Sequence, residues 1–591
     1  MKGIFKIAIA IGLGGFLPLY SQVMQTDWTG GPGVCGTVSS FGSTFCSSSP
    51  SVFYLFPGYV RLAGVYRDLR EHLVDNTIGG WDNDPDIVDL DLDGANDLLV
   101  SDESGPNVVY WYRNSGCGNF TRYTIDPNIA SVDEVVAVDY QNDGDMDVFA
   151  ASRPSSGKDV VLYRNDGSMS FSTVVIDPNM GGSSEAEGID AGDLDNDGDV
   201  DIAVSWLAGG LWWYENTGSG WNKRMISNSI GCGAWDVLIW DFDNDGRKDI
   251  ALSTACRLYI FRNNGGTPPT FTSFVIDNTL SNGYGLAMGD INGDGRMDLV
   301  LTDRGGSGYV YLYINNGGLS FTKQIIDNSA NIPMGVQVAD FEPDGDLDIV
   351  VASRGNRTIY VYINSGMTFT RMTPSITPRN YFGVGIGDLD GDADPDILVR
   401  AGTTSGKEGL WWYETILSYY PTGWIESSIY DAGVQRRWLS ATVAFSSASS
   451  CAMSGVLVKL YVRASKDLIT WTPWIFVGNY TSSSSLPLPS PFDTVNYRYL
   501  QYRLELYSSS DSTKTPIVDF VRFDYDPLGG DDELFISEDG NLKVSAGNKD
   551  IAVYTVDGRL ILKAKGELGA TLKKGVYKVL IGKEKRTIII R

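Results

Sequence analysis

The stretch DLDNDGDVDIAV, residues 193–204, sets five aspartates into nine positions and then turns apolar. Carboxylates crowded this closely repel one another, and the cost rises as the surroundings become less polar. A cation among them would remove that cost. The pattern recurs as DLDLDGAND from Asp89, DYQNDGDMD from Asp139, DFDNDGRKD from Asp241, DINGDGRMD from Asp290, DFEPDGDLD from Asp340 and DLDGDADPD from Asp388. The seven starts are separated by 50, 54, 48, 49, 50 and 48 residues. A period near 50 residues is the mark of a propeller or another repeat array.

Each period has one layout. In the sixth, GVQVADF leads into the Asp loop, and DIVVAS, RTIYVYIN and MTFTRMT follow. Short β-branched and aromatic runs between Gly, Asn and Ser turns predict four strands. Four antiparallel strands per period make a propeller blade, and no 3.6-residue periodicity argues for helices. The expected fold is all-β: a seven-bladed β-propeller over 61–425, a β-sandwich and a small C-terminal β-domain. Blades end on a recurring signature: FTRYTID (120–126), FSTVVID (171–177), FTSFVID (271–277) and FTKQIID (321–327). A similar stretch, LREHLVD (69–75), precedes the first loop and is expected to supply the outer strand of the last blade. WIESSIYD (424–431) competes for that place.

The loops share D-x-[DNEQ]-x-D-G-x-x-D. Oxygen side chains stand at positions 1, 3, 5 and 9, and Gly at position 6 allows a sharp turn. Hard oxygen ligands at alternating positions suit Ca²⁺ better than Mg²⁺, and Zn²⁺ would want clustered His or Cys. The expected ligands are Asp89, Asp91, Asp93 and Asp97; Asp139, Gln141, Asp143 and Asp147; Asp193, Asp195, Asp197 and Asp201; Asp241, Asp243, Asp245 and Asp249; Asp290, Asn292, Asp294 and Asp298; Asp340, Glu342, Asp344 and Asp348; and Asp388, Asp390, Asp392 and Asp396. Up to seven Ca²⁺ follow. The first five positions look like an EF-hand, but that loop needs flanking helices and a Glu at position 12. Position 12 here is an apolar strand residue such as Val100 or Val204.

These motifs resemble the FG-GAP (VCBS-type) repeats of integrin-α-like propellers, over about 60–430. The resemblance implies hairpin Ca²⁺ loops in the blades. Gln141 and Asn292 replace acids at position 3, Glu342 is longer than Asp, and Ala393 replaces the turn Gly of the last loop. Those loops depart from the family pattern.

The chain of 591 residues carries a net charge of −27. Such a surface repels nucleic acid and anionic membranes. Residues 1–21 read as a signal peptide, with Lys2 and Lys6 before an apolar run, and 22–60 as an N-terminal segment. No other stretch is apolar enough to span a bilayer. A secreted or cell-surface bacterial protein is expected, with no membrane insertion once the signal is removed. Six Cys fit an oxidising compartment. Cys35 and Cys46 are close enough to pair, Cys232 and Cys256 flank one Asp loop symmetrically, and Cys117 and Cys451 have no obvious partner.

Beyond the repeats, 426–527 alternates like the strands of a β-sandwich. PLGGDDE opens a linker (528–536). From Ser537 the chain holds 12 Lys/Arg against 6 Asp/Glu. VYTVDGRL, GVYKV and the basic last strand of 537–591 resemble a type IX secretion C-terminal sorting domain, which implies an export address.

Chemistry outside the loops is sparse. The one His, His72, falls in the expected outer strand, with no nucleophile nearby. Glu185 and Glu187 are the best carboxylates outside the loops, and WTPW (471–474) is a candidate sugar platform. The reading is a calcium-binding propeller used for adhesion or ligand binding, with an extracellular protein or glycan as partner and no assigned catalytic residue. A polysaccharide-active enzyme, a Ca²⁺-dependent lyase or a glycosidase, is the alternative on the same scaffold. The oligomeric state is not encoded legibly.

Overall fold

A computed structural model describes residues 60–78, 85–102, 108–129, 132–152, 157–180, 186–402 without 343, 408–445 and 455–525 without 511 and 513, with shorter pieces between 17 and 53 and strands between 532 and 590. Every regular element among the described residues is a strand. The expected signal peptide lies almost wholly outside them.

Seven of the four-stranded sheets follow one another along the repeats. The first is Asp86–Val88, Asp97–Asp102, Val108–Asn114 and Phe120–Asp126. Five more repeat that meander, starting at Val132, Ala186, Ala234, Gly283 and Pro333. The seventh joins Asn380–Gly387, Asp396–Gly402 and Glu408–Tyr419 to Gly64–Asp75 from the start of the chain. There Trp412 faces His72 and Tyr413 faces Glu71. The stretch 69–75 therefore takes the outer place, and Thr422–Glu426 pairs instead with Tyr497–Tyr507.

Burial explains the sequence of each sheet. Second strands such as Asp97–Asp102 and Asp348–Ser353 are buried at every residue. Neighbouring sheets cover both their faces, so they read as continuous apolar runs. Fourth strands such as Phe120–Asp126 lie at the rim, mostly exposed.

The core is a series of layers between successive sheets. Leu99, Val109 and Trp111 pack on Val135, Val148 and Val161 of the next sheet. Leu398, Leu410 and Trp412 of the seventh pack on Leu98, Val100 and Tyr110 of the first. First strands lie against one another in the same order, and Asn380–Gly387 lies against Asp86–Val88. Their glycines permit that approach: a Cβ on Gly188 would stand 2.6 Å from the Trp235 carbonyl oxygen. This closed cycle is consistent with a β-propeller.

Two further sheets follow the repeats. One orders Ser21–Gln25, Val518–Tyr525, Trp438–Phe445 and Ser484–Pro487. The other is built on Tyr497–Tyr507, with Ile429–Arg436, Thr422–Glu426, Leu457–Ser465 and Ile475–Tyr480, and takes in Thr37–Val38 and Ser47–Ser48. They share a core that includes Val23, Phe41, Trp438, Leu460, Tyr502 and Phe523. The 22–60 stretch thus contributes strands that pair with residues from 425 onward, far away in sequence, which local patterning could not reveal. In the C-terminal region, Asn541–Thr555 pairs with Asp532–Ile536, Leu560–Thr571 and Gly575–Ile581.

Cys35–Cys46 and Cys232–Cys256 form disulfides. Cys117, for which the sequence suggests no partner, is also disulfide-bonded.

Candidate metal loops and the hub face

Each Asp loop joins the first strand of a sheet to the second, and its position-9 Asp opens the second strand. The position-1 carboxylate shapes the turn. Asp89 accepts the amides of Asp93 and Gly94 at 3.0 and 2.9 Å, and Asp241 those of Asp245 and Gly246 at 3.0 and 2.7 Å. The position-6 glycines have left-handed φ, 92° at Gly94 and 95° at Gly198. Ala393 is held at 68° in the seventh loop, where a Cβ costs energy.

Position 9 ties the loop to the third strand. Asp249 accepts the amide of Phe242 at 3.2 Å and that of Asn263, in the third strand, at 2.8 Å. Asp97, Asp147, Asp201, Asp298, Asp348 and Asp396 make the same pair of bonds. Burial pushes Asp97, Asp147 and Asp298 up to about 6, Asp201 and Asp249 to about 7 and Asp348 to about 8, despite those donors. A divalent cation alongside would favour the charged form.

Among the described residues, four loops bring three carboxylates within 4.8 Å of one another: Asp89, Asp91 and Asp97; Asp193, Asp195 and Asp197; Asp241, Asp243 and Asp249; Asp388, Asp390 and Asp396. Asp139, Asp143 and Asp147 form no such group, nor do Asp290, Asp294 and Asp298, nor Asp340, Glu342, Asp344 and Asp348. Gln141 and Asn292 instead lie against Asp143 and Asp294. In the first and fourth loops the position-3 carboxylate keeps one buried oxygen, Oδ1 of Asp91 and of Asp243, without a hydrogen-bond partner. Such an oxygen is costly unless something binds it. An oxygen-only set with orphaned buried acceptors fits a hard cation of the Ca²⁺ type.

The third strand sets the charge facing four of the loops, which the sequence pattern alone does not reveal. Arg113 pairs with Asp91 and Asp93, and Arg262 with Asp243 and Asp245. Glu215 holds the corresponding place in the third sheet and repels Asp195, and Glu414 in the seventh repels Asp390. The signal was present as the residue before the closing Asn or Thr of those third strands: Arg in YRN and FRN, Glu in WYEN and WYET.

The terminal Asp of the blade-end signature also has a role that was not anticipated. Asp277 accepts Tyr313 Oη at 2.7 Å and Lys323 Nζ at 2.5 Å, both from the next sheet. Asp327 takes Tyr362 and Arg371, both at 2.8 Å. Asp75 takes Tyr112 and Arg122 of the first sheet. Burial opposes ionisation of Asp327, but the donors of Tyr362, Arg371 and Ser329 outweigh it and hold the carboxyl below its ordinary value.

Near the axis, Asp133, Glu134, Glu187, Trp235, Asp236 and Tyr284 line a shallow depression. Glu134 accepts the Ile189 amide at 2.7 Å and Asp236 the Leu286 amide at 2.8 Å, each from the next first strand. The Arg304 guanidinium lies 3.8 Å from the Tyr284 ring centre and 4.9 Å from that of Trp235. Glu187 therefore faces other acids and aromatics; Glu185 lies outside the described residues. His72 stacks on Trp412 at 4.2 Å and reaches Glu414 at 2.9 Å. In WTPW, Trp471 and Trp474 have Arg463 over their rings at 5.0 and 4.6 Å.

No curated protein matches the chain. Among solved structures it is similar to an Agrocybe aegerita lectin that recognises non-reducing terminal N-acetylglucosamine: 19% identity over 52% of this chain and 80% of that one, TM-score 0.37. It is also similar to BBS1N in complex with ARL6DN, in lead- and mercury-soaked crystals. Identities there are 15% and 14%, over 59% of this chain and 97% of that chain, with TM-scores of 0.41. Likenesses at these TM-scores carry no functional argument. The FG-GAP-like repeat model matches residues 89–150, 139–204, 241–301, 290–351 and 340–399, which take in all seven Asp loops. These five matches support an FG-GAP repeat protein.

Proposed function

We propose that the chain is a secreted or surface-held seven-bladed β-propeller, stabilised by Ca²⁺ in its blade loops and continued by a β-sandwich, that binds an extracellular protein or glycan. The observation that carries this reading is the set of four carboxylate triads, two of them with a buried, unpartnered oxygen. Ca²⁺ would supply charge compensation there, while the backbone donors to positions 1 and 9 hold the loop in shape. The disulfides suit an oxidising compartment. The basic C-terminal strands serve as a type IX sorting address. The acidic and aromatic hub face with Glu187, Trp235 and Tyr284 is the surface we assign to ligand recognition, because side chains from several sheets converge there.

A metal count on the mature chain, with thermal unfolding in calcium and in excess chelator, tests the loops. At least four ions per chain and a large chelator-induced drop in Tm are expected. No bound metal and no shift would reject the reading. A glycan array and a polysaccharide digest test the ligand assignment and the enzymatic alternative.

A further inference from the structure

The seventh loop differs from the other six in its cover. It carries five carboxylates, on Asp388, Asp390, Asp392, Asp394 and Asp396, as the third and sixth loops also do, but none of its nine residues is exposed. Each of the other loops has an exposed tip, as at Asp93 and Gly94 or Asp245 and Gly246. Asp394 is 1% exposed. Its Oδ2 accepts Tyr419 Oη at 2.9 Å, and its Oδ1 has no hydrogen-bond partner.

The cover comes from the junction with the C-terminal sheets. Arg61 Nη1 lies 3.4 Å from the Asp392 carbonyl oxygen and 3.5 Å from Tyr419 Oη, and both side chains are buried. Around them Tyr420 N donates to Ala63 O, Tyr419 N to Ser512 O and Leu62 N to Thr515 Oγ1, and Val60 bridges to Val518. One guanidinium beside five carboxylates does not balance their charge, and an uncompensated ion in the interior is costly.

We propose that this loop takes one divalent cation of the Ca²⁺ class that is sealed in when the seventh sheet and the C-terminal sheets close over it, and that it ties the two regions together. Ions in the other loops exchange with solvent; this one leaves only when the junction opens. The inference rests on the calcium reading above and adds a separate kinetic class and a linking role.

The test loads the full mature chain with radioactive calcium and then adds excess chelator. One label per chain should remain after the others have left, and its release should follow hydrogen exchange at the Tyr419, Tyr420 and Val518 amides. Asp394→Asn should abolish the retained label, and Asp195→Asn, in the third loop, should not. Release of all bound calcium in one fast phase would overturn this inference and leave the calcium reading intact. So would loss of the last ion while the junction amides stay protected, a comparison made on the unmodified chain that survives a variant's failure to fold. No bound calcium at all would overturn both.

Discussion

Tyr214 Oη donates to Asp177 Oδ2 across 2.8 Å, joining the third strand of one sheet to the last residue of the sheet before it. Lys223 Nζ stands 2.6 Å from the same oxygen. The arrangement recurs with Tyr313 on Asp277 and Tyr362 on Asp327. Between the third and fourth sheets the pattern breaks on both sides at once. The third sheet ends on Ser227 instead of Asp, and the fourth carries Phe261 where Tyr would stand. A buried phenol without its acceptor, or a carboxylate without its donors, is avoided by changing both.

Asp177→Ser should destabilise the chain by about 2 kcal/mol, since it leaves the Tyr214 hydroxyl buried without its charged acceptor. Adding Tyr214→Phe should recover part of that loss and reproduce the Ser227 and Phe261 combination. Urea unfolding of the two variants measures the difference. A double variant less stable than Asp177→Ser would contradict the pairing.

Arg262 competes with a cation for Asp243 and Asp245. Removing a guanidinium at this range is worth about 1.4 kcal/mol, or tenfold in affinity. Arg262→Ala should therefore tighten calcium binding at the fourth loop by roughly that factor, and Glu215→Ala should weaken the third. Calorimetric titration of each variant reports the affected class of sites; unchanged isotherms would exclude a role for the third strand.

Asp190 accepts the amides of Ile239 and Ala191 near the axis, and burial pushes its carboxyl up to about 6, with Asp86 adding to the rise and Lys248 opposing it. A carboxyl raised in the folded state favours folding when protonated. Its contribution is full below the unfolded value, about 3.9, and is lost as pH rises through about 6. The whole effect is roughly 3 kcal/mol, which solvent reaching the side chain reduces to about 1–2 kcal/mol. In saturating calcium, Asp190→Ala should lower Tm at pH 4–5 and show a shallower decline toward pH 8. Parallel profiles would count against it.

Cys232 and Cys256 lie 24 residues apart and clip the end of a hairpin opposite its Asp loop. Closing a loop of this length contributes about 3 kcal/mol. The Cys232→Ser, Cys256→Ser chain should unfold at correspondingly lower urea concentration with its calcium count unchanged, because the bond is remote from the ligands.

A chain beginning after Asp75 would leave Glu408–Tyr419 without its partner Gly64–Asp75. Exposed edge strands promote association. Such a chain should elute as aggregates in size-exclusion chromatography, and supplying 60–78 as a peptide should restore monomer. A monodisperse truncated chain would show that the clasp is dispensable.

The sequence by itself determined whatever is local and repeated. The seven loop starts, the turn glycines, the four runs per period and the copy-like stretch at 69–75 are short-range patterns, and each reappears as an element of the expected kind. The Cys232–Cys256 pair was legible for the same reason, since both ends belong to one hairpin. What depends on distant partners was not legible. Nothing in YRN or WYEN says that the charged residue faces an Asp loop, because that follows from the register between second and third strands. The terminal Asp of FSTVVID meets Tyr214 only after two sheets pack. Thr37–Val38 lies beside Ile429–Arg436, a neighbour fixed by the shared core and not by any local signal. Arg61 and Tyr419 come together over the seventh loop because two long strands pair in the closing sheet, and tertiary packing alone decided that this loop has no exposed residue while the other six have exposed tips.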